Sequence, residues 1–178
     1  LSVWLATRVG ERRLILASLL LFGIGSALVA QAGSIENLIA WRLLQGLGGG
    51  LLLPVGQALA YRQFPPTQRA HFTGVVLLVA LLVPALSPAA GGLIVQALSW
   101  RWIFYLNLPL TLLAFGLGLL WLKADQPFNE RPTLDARGLL LAASALSLLL
   151  IAVSLVSDAS TRALGIIVLI LSILILGL

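Results

Sequence analysis

Residues 34–61 read SIENLIAWRLLQGLGGGLLLPVGQALAY, a mostly apolar run that contains an arginine. It is long and apolar enough to cross a bilayer as a helix, for which about 20 residues suffice, yet Arg42 lies within it. A guanidinium keeps its proton, and placing it in hydrocarbon costs about 2.5–3.5 kcal/mol. Arg42 is therefore expected to face a polar cavity or a partner, which makes it the first candidate for a functional residue.

The composition of the whole chain indicates a membrane protein. Of the 178 residues, 60% are hydrophobic and 10% are charged, against about 25% charged in soluble domains. Because backbone groups in lipid must hydrogen-bond within their own segment, we expect helices throughout. The predicted fold class is all-α, a polytopic transmembrane helix bundle. Apolar runs long enough to span lie at residues 14–32, 35–61, 70–98, 102–122, 138–157 and 163–178, and residues 1–6 are typical of the end of an earlier span.

The basic residues predict how these spans are oriented. The loops between spans form two alternating sets. One set holds eight basic residues and the other holds only Arg101 and Arg162, while Arg42 lies inside a span. By the positive-inside rule the basic loops are cytoplasmic, which predicts a multi-pass protein of the inner (plasma) membrane with the lipid bilayer as its surroundings. Eight of the 11 basic residues lie in alternate loops: Arg8, Arg12, Arg13, Arg62, Arg69, Lys123, Arg131 and Arg137.

The net charge of +5 has this topological explanation. Since the chain has no basic stripe and no aromatic platform, we expect no nucleic-acid partner. Cysteine is absent and His71 is the single histidine, which argues against a metal site built from those residues. With no nucleophile–base pair, paired intramembrane carboxylates or phosphate-binding loop, we expect neither an enzyme nor a bound cofactor. The chain begins at Leu1 and contains no methionine, so we expect a segment of a longer polypeptide, the remainder of which is a partner.

Three stretches carry candidate functional residues. Residues 5–13, LATRVGERR, form a predicted loop in which Gly10 permits a tight turn and the arginines can pair with acidic groups or helix C-termini. An ordinary positive-inside loop would show the same chemistry. The candidate gating residues here are Thr7, Arg8, Gly10 and Arg12.

The second stretch begins at Arg42. Helical spacing places Arg42, Gln45, Gly46 and Gly49 on one face. Gly46 and Gly50 form a Gly-x-x-x-Gly pair, which lets another helix approach closely. That face combines a fixed charge, an amide and a groove; the alternative is a structural arginine that braces the bundle.

The third stretch is residues 83–92, VPALSPAAGG. Pro84 and Pro88 each remove a backbone hydrogen bond and bend or loosen a helix. Gly91 and Gly92 permit tight contact beside them. A passive kinked helix is the alternative interpretation.

These stretches resemble signatures of the major facilitator superfamily. The Gly10 loop is similar to the loop between helices two and three, although Val3, Thr7 and Glu11 depart from its pattern, and Thr7 replaces an acidic residue. The Arg42 stretch is similar to the fourth-helix signature. Residues 83–92 are similar to the fifth-helix antiporter signature, with Val83 and Ser87 where glycine is usual. Residues 99–109, SWRWIFYLNLP, resemble the junction of helices five and six in EmrB/QacA-type drug/proton antiporters.

The resemblance implies a partial transporter fold covering about helices two to eight of a fourteen-helix branch. Residues 1–123 would belong to the N-terminal bundle, 124–137 to a cytoplasmic linker and 138–178 to two additional central helices. Arg42 and Gln45 would couple transport to protons, and the glycines and prolines would form gating and helix interfaces. The implied function is proton-coupled export of amphipathic small molecules. The alternatives are a transporter of one specific metabolite and a non-transporting membrane scaffold or sensor.

Overall fold

The computed structural model describes residues 1–63, 65–125, 133–157 and 160–177. These residues contain helices and no strand, which confirms the predicted all-α class. Two compact units are present, residues 2–131 and residues 132–178, and each is described by itself. The helices are α1 (Ser2–Val9), α2 (Glu11–Ala30), α3 (Ile35–Gln63), α4 (Pro66–Ala97), α5 (Arg101–Tyr105), α6 (Asn107–Trp121), α7 (Ala136–Ser157) and α8 (Arg162–Leu176).

Five of the six predicted spans are long and apolar enough to cross a membrane: Glu11–Ala30, Ile35–Arg62, Thr67–Ala97, Arg101–Trp121 and Ala136–Ser157. The sixth is a shorter apolar helix, Arg162–Ile175. Pro109 explains the interruption between α5 and α6, because it has no N–H to donate to the Tyr105 carbonyl one turn earlier. The centre of the predicted linker, residues 126–132, lies outside the described residues.

In the first unit, α2 lies between α3 and α6 and packs on both. Glycine permits the close approach of α2 and α3. A Cβ at Gly48 would lie 2.6 Å from the backbone nitrogen of Phe22, and one at Gly25 would lie 2.7 Å from the Cα of Gln45. The two backbones are therefore almost in contact, an arrangement that small residues allow between membrane helices.

Helix α4 differs from α2 in being almost unpacked. No residue of its most apolar window is buried, and its main contact in the unit is with α5. The Tyr61 hydroxyl and the Thr73 hydroxyl are 3.0 Å apart, which links the end of α3 to the start of α4. The helix continues through Pro84 and Pro88.

The second unit is a hairpin of α7 and α8. Its contact surface is built from small residues seven apart on each helix, Ala145 and Ala152 on α7 and Gly165 and Ser172 on α8, and all four are buried. The Ser172 hydroxyl donates to the Ala145 carbonyl at 2.8 Å. Such a spacing repeats every two turns and keeps one narrow face of each helix against the other.

Candidate functional site

Arg42 and Gln45 lie one turn apart on α3, as the sequence predicts. Arg42 Nη1 donates to Gln45 Oε1 at 3.3 Å. The Arg42 guanidinium carbon also lies 4.6 Å from the centre of the Phe104 ring on α5, within the range of a cation–π interaction. Within the described residues, Arg42 has no carboxylate partner. Its charge is held in place but is not neutralised there.

A buried serine on α2 continues this contact chain. Gln45 Nε2 donates to Ser26 Oγ at 2.6 Å, and Asn107 Nδ2 donates to the same oxygen at 3.4 Å. Ser26 is fully buried and Gln45 is 5% exposed. Ser26 thus joins α2, α3 and the first turn of α6. We call Ser26, Arg42, Gln45, Phe104 and Asn107 the Arg42 cluster.

The Arg42 cluster borders an open pocket of about 390 Å³. Phe22, Ile103 and Phe104 contribute apolar walls, and the polar groups are one guanidinium and two amides. No acidic residue is among those that border it. Such a surface attracts a carboxylate or another hydrogen-bond acceptor. Within the described part of the chain, no group of acidic, histidine or cysteine residues could hold a metal ion.

The glycines of α3 have different surroundings. A Cβ at Gly46 or Gly50 would meet no heavy atom within 4 Å, whereas one at Gly49 would lie 3.2 Å from the Phe22 ring. Gly46 and Gly50 both border the pocket. The use of the Gly46–Gly50 pair for close helix approach therefore stays a prediction. The glycine that touches a helix backbone is Gly48, which the motif spacing did not single out.

The junction between α1 and α2 forms a second polar cluster. Asp125, which follows α6, accepts hydrogen bonds from the backbone nitrogens of Arg12 (2.7 Å) and Arg13 (3.3 Å). It therefore satisfies free N–H groups in the first turn of α2. Gly10 has φ of +102°, and a Cβ there would overlap the Asp125 carboxylate. Arg12 Nη2 also donates to the Leu119 carbonyl at 2.8 Å, which joins the junction to the end of α6.

Thr7 and Arg8 contact their own helix. The Thr7 hydroxyl donates to the Trp4 carbonyl at 2.9 Å, and the Arg8 guanidinium lies 4.5 Å from the Trp4 ring centre. The carboxylates of this region come instead from Asp125 and from Glu11, which pairs with Arg62 at 3.3 Å. Glu11 stands where the family pattern has a basic residue, and that departure was the one sequence signal for this ion pair.

The candidate residues of α4 lie apart from the Arg42 cluster. Gly91 and Gly92 have no heavy atom within 4 Å of an added Cβ, and Pro84 and Pro88 are exposed. No contact given by the structure joins these four residues to the Arg42 cluster. Their interface role therefore stays a prediction.

The described helices, five of them long and apolar enough to cross a membrane, define a multi-pass membrane protein. Its sequence matches the model of the Major Facilitator Superfamily over residues 1–178. The chain belongs to that superfamily, and its fold is a partial transporter bundle of this type.

Curated relatives give a more specific comparison. The chain is 38% identical over 151 residues to a putative multidrug resistance protein MdtD of Cronobacter sakazakii. It is 40% identical over 151 residues to a multidrug resistance protein B homolog of Mycobacterium tuberculosis. Each match covers 85% of this chain, and 32% and 28% of the respective relative. The chain therefore spans about a third of the length of these relatives.

Proposed function

We propose that this chain is part of a proton-coupled secondary transporter that exports amphipathic small molecules across the inner membrane. Membership of the superfamily and the multidrug resistance relatives support export. The observation that carries the proposal is the Arg42 cluster, in which a guanidinium without a carboxylate partner among the described residues borders an open pocket in an apolar bundle. Residues 1–123 would serve as part of the N-terminal bundle and 138–178 as additional central helices.

Arg42 would act through its positive charge. A fixed cation favours the ionised form of a nearby carboxylate, so it promotes proton release from that group. The carboxylate would lie on another part of the full-length transporter and face the pocket. Alternating access then follows if binding of a proton and binding of the exported molecule favour different arrangements of the two bundles. Gln45 would keep the guanidinium oriented through its hydrogen bond.

The test is export by the full-length protein in liposomes with an imposed pH gradient, measured with a fluorescent amphipathic dye. Arg42→Ala should reduce gradient-driven export at least about tenfold, because proton release loses its electrostatic support. Arg42→Lys should give an intermediate rate, since the charge remains but the planar donor geometry is lost. Arg162→Ala removes an arginine at the start of α8 and should retain the normal rate.

Equal export by Arg42→Ala and the normal protein, with the same dependence on the gradient, would remove Arg42 from the coupling mechanism. Export that ignores the pH gradient in the unmodified protein would contradict proton coupling itself. The amount of folded protein in the membrane is measured for each variant, so that a loss of rate is not confused with a loss of protein.

A further inference from the structure

Phe104 is the residue that connects the aromatic stretch 99–109 to Arg42. Its ring face receives the Arg42 guanidinium at 4.6 Å. The ring is 7% exposed and packs with Val29 and Ala30 at the end of α2. A residue of this aromatic stretch therefore touches the candidate coupling residue.

The ring of Phe104 is itself held in place. Trp100 meets it edge to face, with centroids 6.0 Å apart and planes at 81°, an arrangement that the aromatic quadrupoles favour. Arg101 in turn lies 4.9 Å from the Trp100 ring centre and donates to the Ala32 carbonyl at 3.2 Å. Phe104 is thus fixed by a neighbour that is anchored to the end of α2.

The Arg42 side chain has little else to hold it. Its one hydrogen bond among the described residues is the 3.3 Å contact with Gln45, from its own helix. A long arginine side chain facing an open pocket can occupy several rotamers, and fixing it has an entropic cost. A ring face pressed against the guanidinium favours one of these positions through the cation–π attraction.

We infer that Phe104 is a positioning residue that holds the Arg42 guanidinium in its working position through the face of its ring. The inference rests on the proposed coupling role of Arg42. It adds a residue from α5, outside the motif on α3, and gives the Trp100–Phe104 pair a function. The ring must offer an aromatic face, so an aliphatic side chain of similar volume does not replace it.

Other charged or titratable groups on the elements packed around α3 define the background. They are Arg8 on α1; Glu11, Arg12 and Arg13 on α2; and Arg101 and Tyr105 on α5. Helix α3 itself carries Glu36, Tyr61 and Arg62. Several of them have described partners elsewhere: Arg8 with Trp4, Glu11 with Arg62, Arg12 with Leu119, Arg13 with Asp125, Tyr61 with Thr73, and Arg101 with Trp100 and Ala32. Among the described residues, the face of the Phe104 ring is the contact that Arg42 makes with another helix.

The experiment compares Phe104→Leu with Phe104→Tyr in the full-length protein, and uses Phe115→Leu as the matched control. Phe115 is half-buried on α6, away from the pocket. Export is measured across a series of pH values. Phe104→Leu should move the midpoint of the pH profile upward by roughly half a unit to one unit, because a less constrained cation promotes proton release less well. Phe104→Tyr, which keeps the ring face, should retain the normal midpoint, and so should Phe115→Leu.

Double variants separate this inference from the proposed function. If Phe104 acts through Arg42, Phe104→Leu should shift the midpoint no further in a protein that already carries Arg42→Ala. A shift by Arg42→Ala with none by Phe104→Leu would overturn the positioning role and leave the coupling role intact. No shift with Arg42→Ala would overturn the coupling role, and the positioning role with it. If Phe104→Leu lowers the amount of folded protein, Phe104→Tyr combined with Trp100→Leu provides a second test. This double variant keeps a ring at position 104 but removes the neighbouring ring that fixes it, so it should reproduce the shift of the midpoint.

Discussion

At the residue scale, the hydroxyl of Ser26 connects α2 to the next helix, α3, and to α6, which is distant in sequence. It accepts from an amide on α3 and from an amide on α6. In a buried setting, removal of a shared acceptor leaves donors without a partner, and each unsatisfied group costs about 1–3 kcal/mol. The helices of the Arg42 cluster are therefore joined by a side chain that carries no charge and belongs to no motif.

Ser26→Ala should lower the free energy of unfolding by about 1–3 kcal/mol, because Gln45 and Asn107 lose their acceptor. Thermal unfolding of the full-length protein in detergent measures the change. Ser147→Ala is the control, since that exposed hydroxyl bonds only the Ala143 carbonyl of its own helix. Equal effects of the two substitutions would mean that the Ser26 contacts add nothing to stability.

Gly10→Ala should be destabilising by more than about 1 kcal/mol. The backbone at Gly10 has a positive φ, which a Cβ disfavours, and the methyl group would displace the Asp125 carboxylate from the start of α2. Gly56→Ala is the comparison, since it lies inside α3 with nothing within 4 Å and should be neutral or slightly stabilising. The melting temperatures of the two variants test this, and a Gly10→Ala protein as stable as Gly56→Ala would contradict the capping role of Asp125.

At the scale of elements, small residues decide which helices touch. Gly25 and Gly48 bring the backbones of α2 and α3 together, and Gly165 does the same for α7 and α8. The sequence contains many glycines inside spans, and spacing alone did not distinguish those that face a helix from those that border the pocket. The distinction depends on the rotation of each helix about its axis, which the partner helix fixes.

Gly165→Leu should separate α7 from α8, because a Cβ at this position would lie 2.6 Å from the backbone nitrogen of Val156. We expect a loss of several kcal/mol of hairpin stability, as for other overpacked contacts that the backbone cannot relieve. Ala163→Leu adds similar bulk at an exposed position of α8 and should have little effect. Disulfide cross-linking between cysteines introduced on α7 and α8 reports the separation. Unchanged cross-linking in Gly165→Leu would show that the hairpin tolerates the larger side chain.

At the scale of the whole molecule, many large apolar side chains are exposed. Large side chains such as Leu81 (72% exposed) and Leu120 (79% exposed) have no protein neighbour that covers them. For a chain whose helices can span a membrane, the lipid bilayer is the surrounding that stabilises such surfaces. Helix α4 shows this most clearly, because no residue of its apolar window is buried.

The loop predicted over residues 5–13 is wrong, since only Gly10 separates α1 from α2. The sequence does suffice for the membrane class, the all-α fold and the family. Each of these follows from local properties: the length of apolar runs, the requirement for internal backbone hydrogen bonds and the order of short motifs. It also placed Arg42 and Gln45 on one face, since both lie on a single helix with a fixed period. The predicted span 102–122 is one run, whereas the structure divides it between α5 and α6; this cause is local as well, because Pro109 has no N–H to donate.

Only the tertiary structure shows which residues of other helices contact the face of α3 that carries Arg42 and Gln45. Ser26 contacts Gln45, Phe104 contacts Arg42, and Asn107 contacts Ser26 only because the helices that carry them pack together. The same holds for Asp125, which lies more than 100 residues from the helix that it caps. Such contacts depend on the relative rotation and depth of separate helices. No local pattern encodes those quantities, because they are set by the packing of every side chain between the helices.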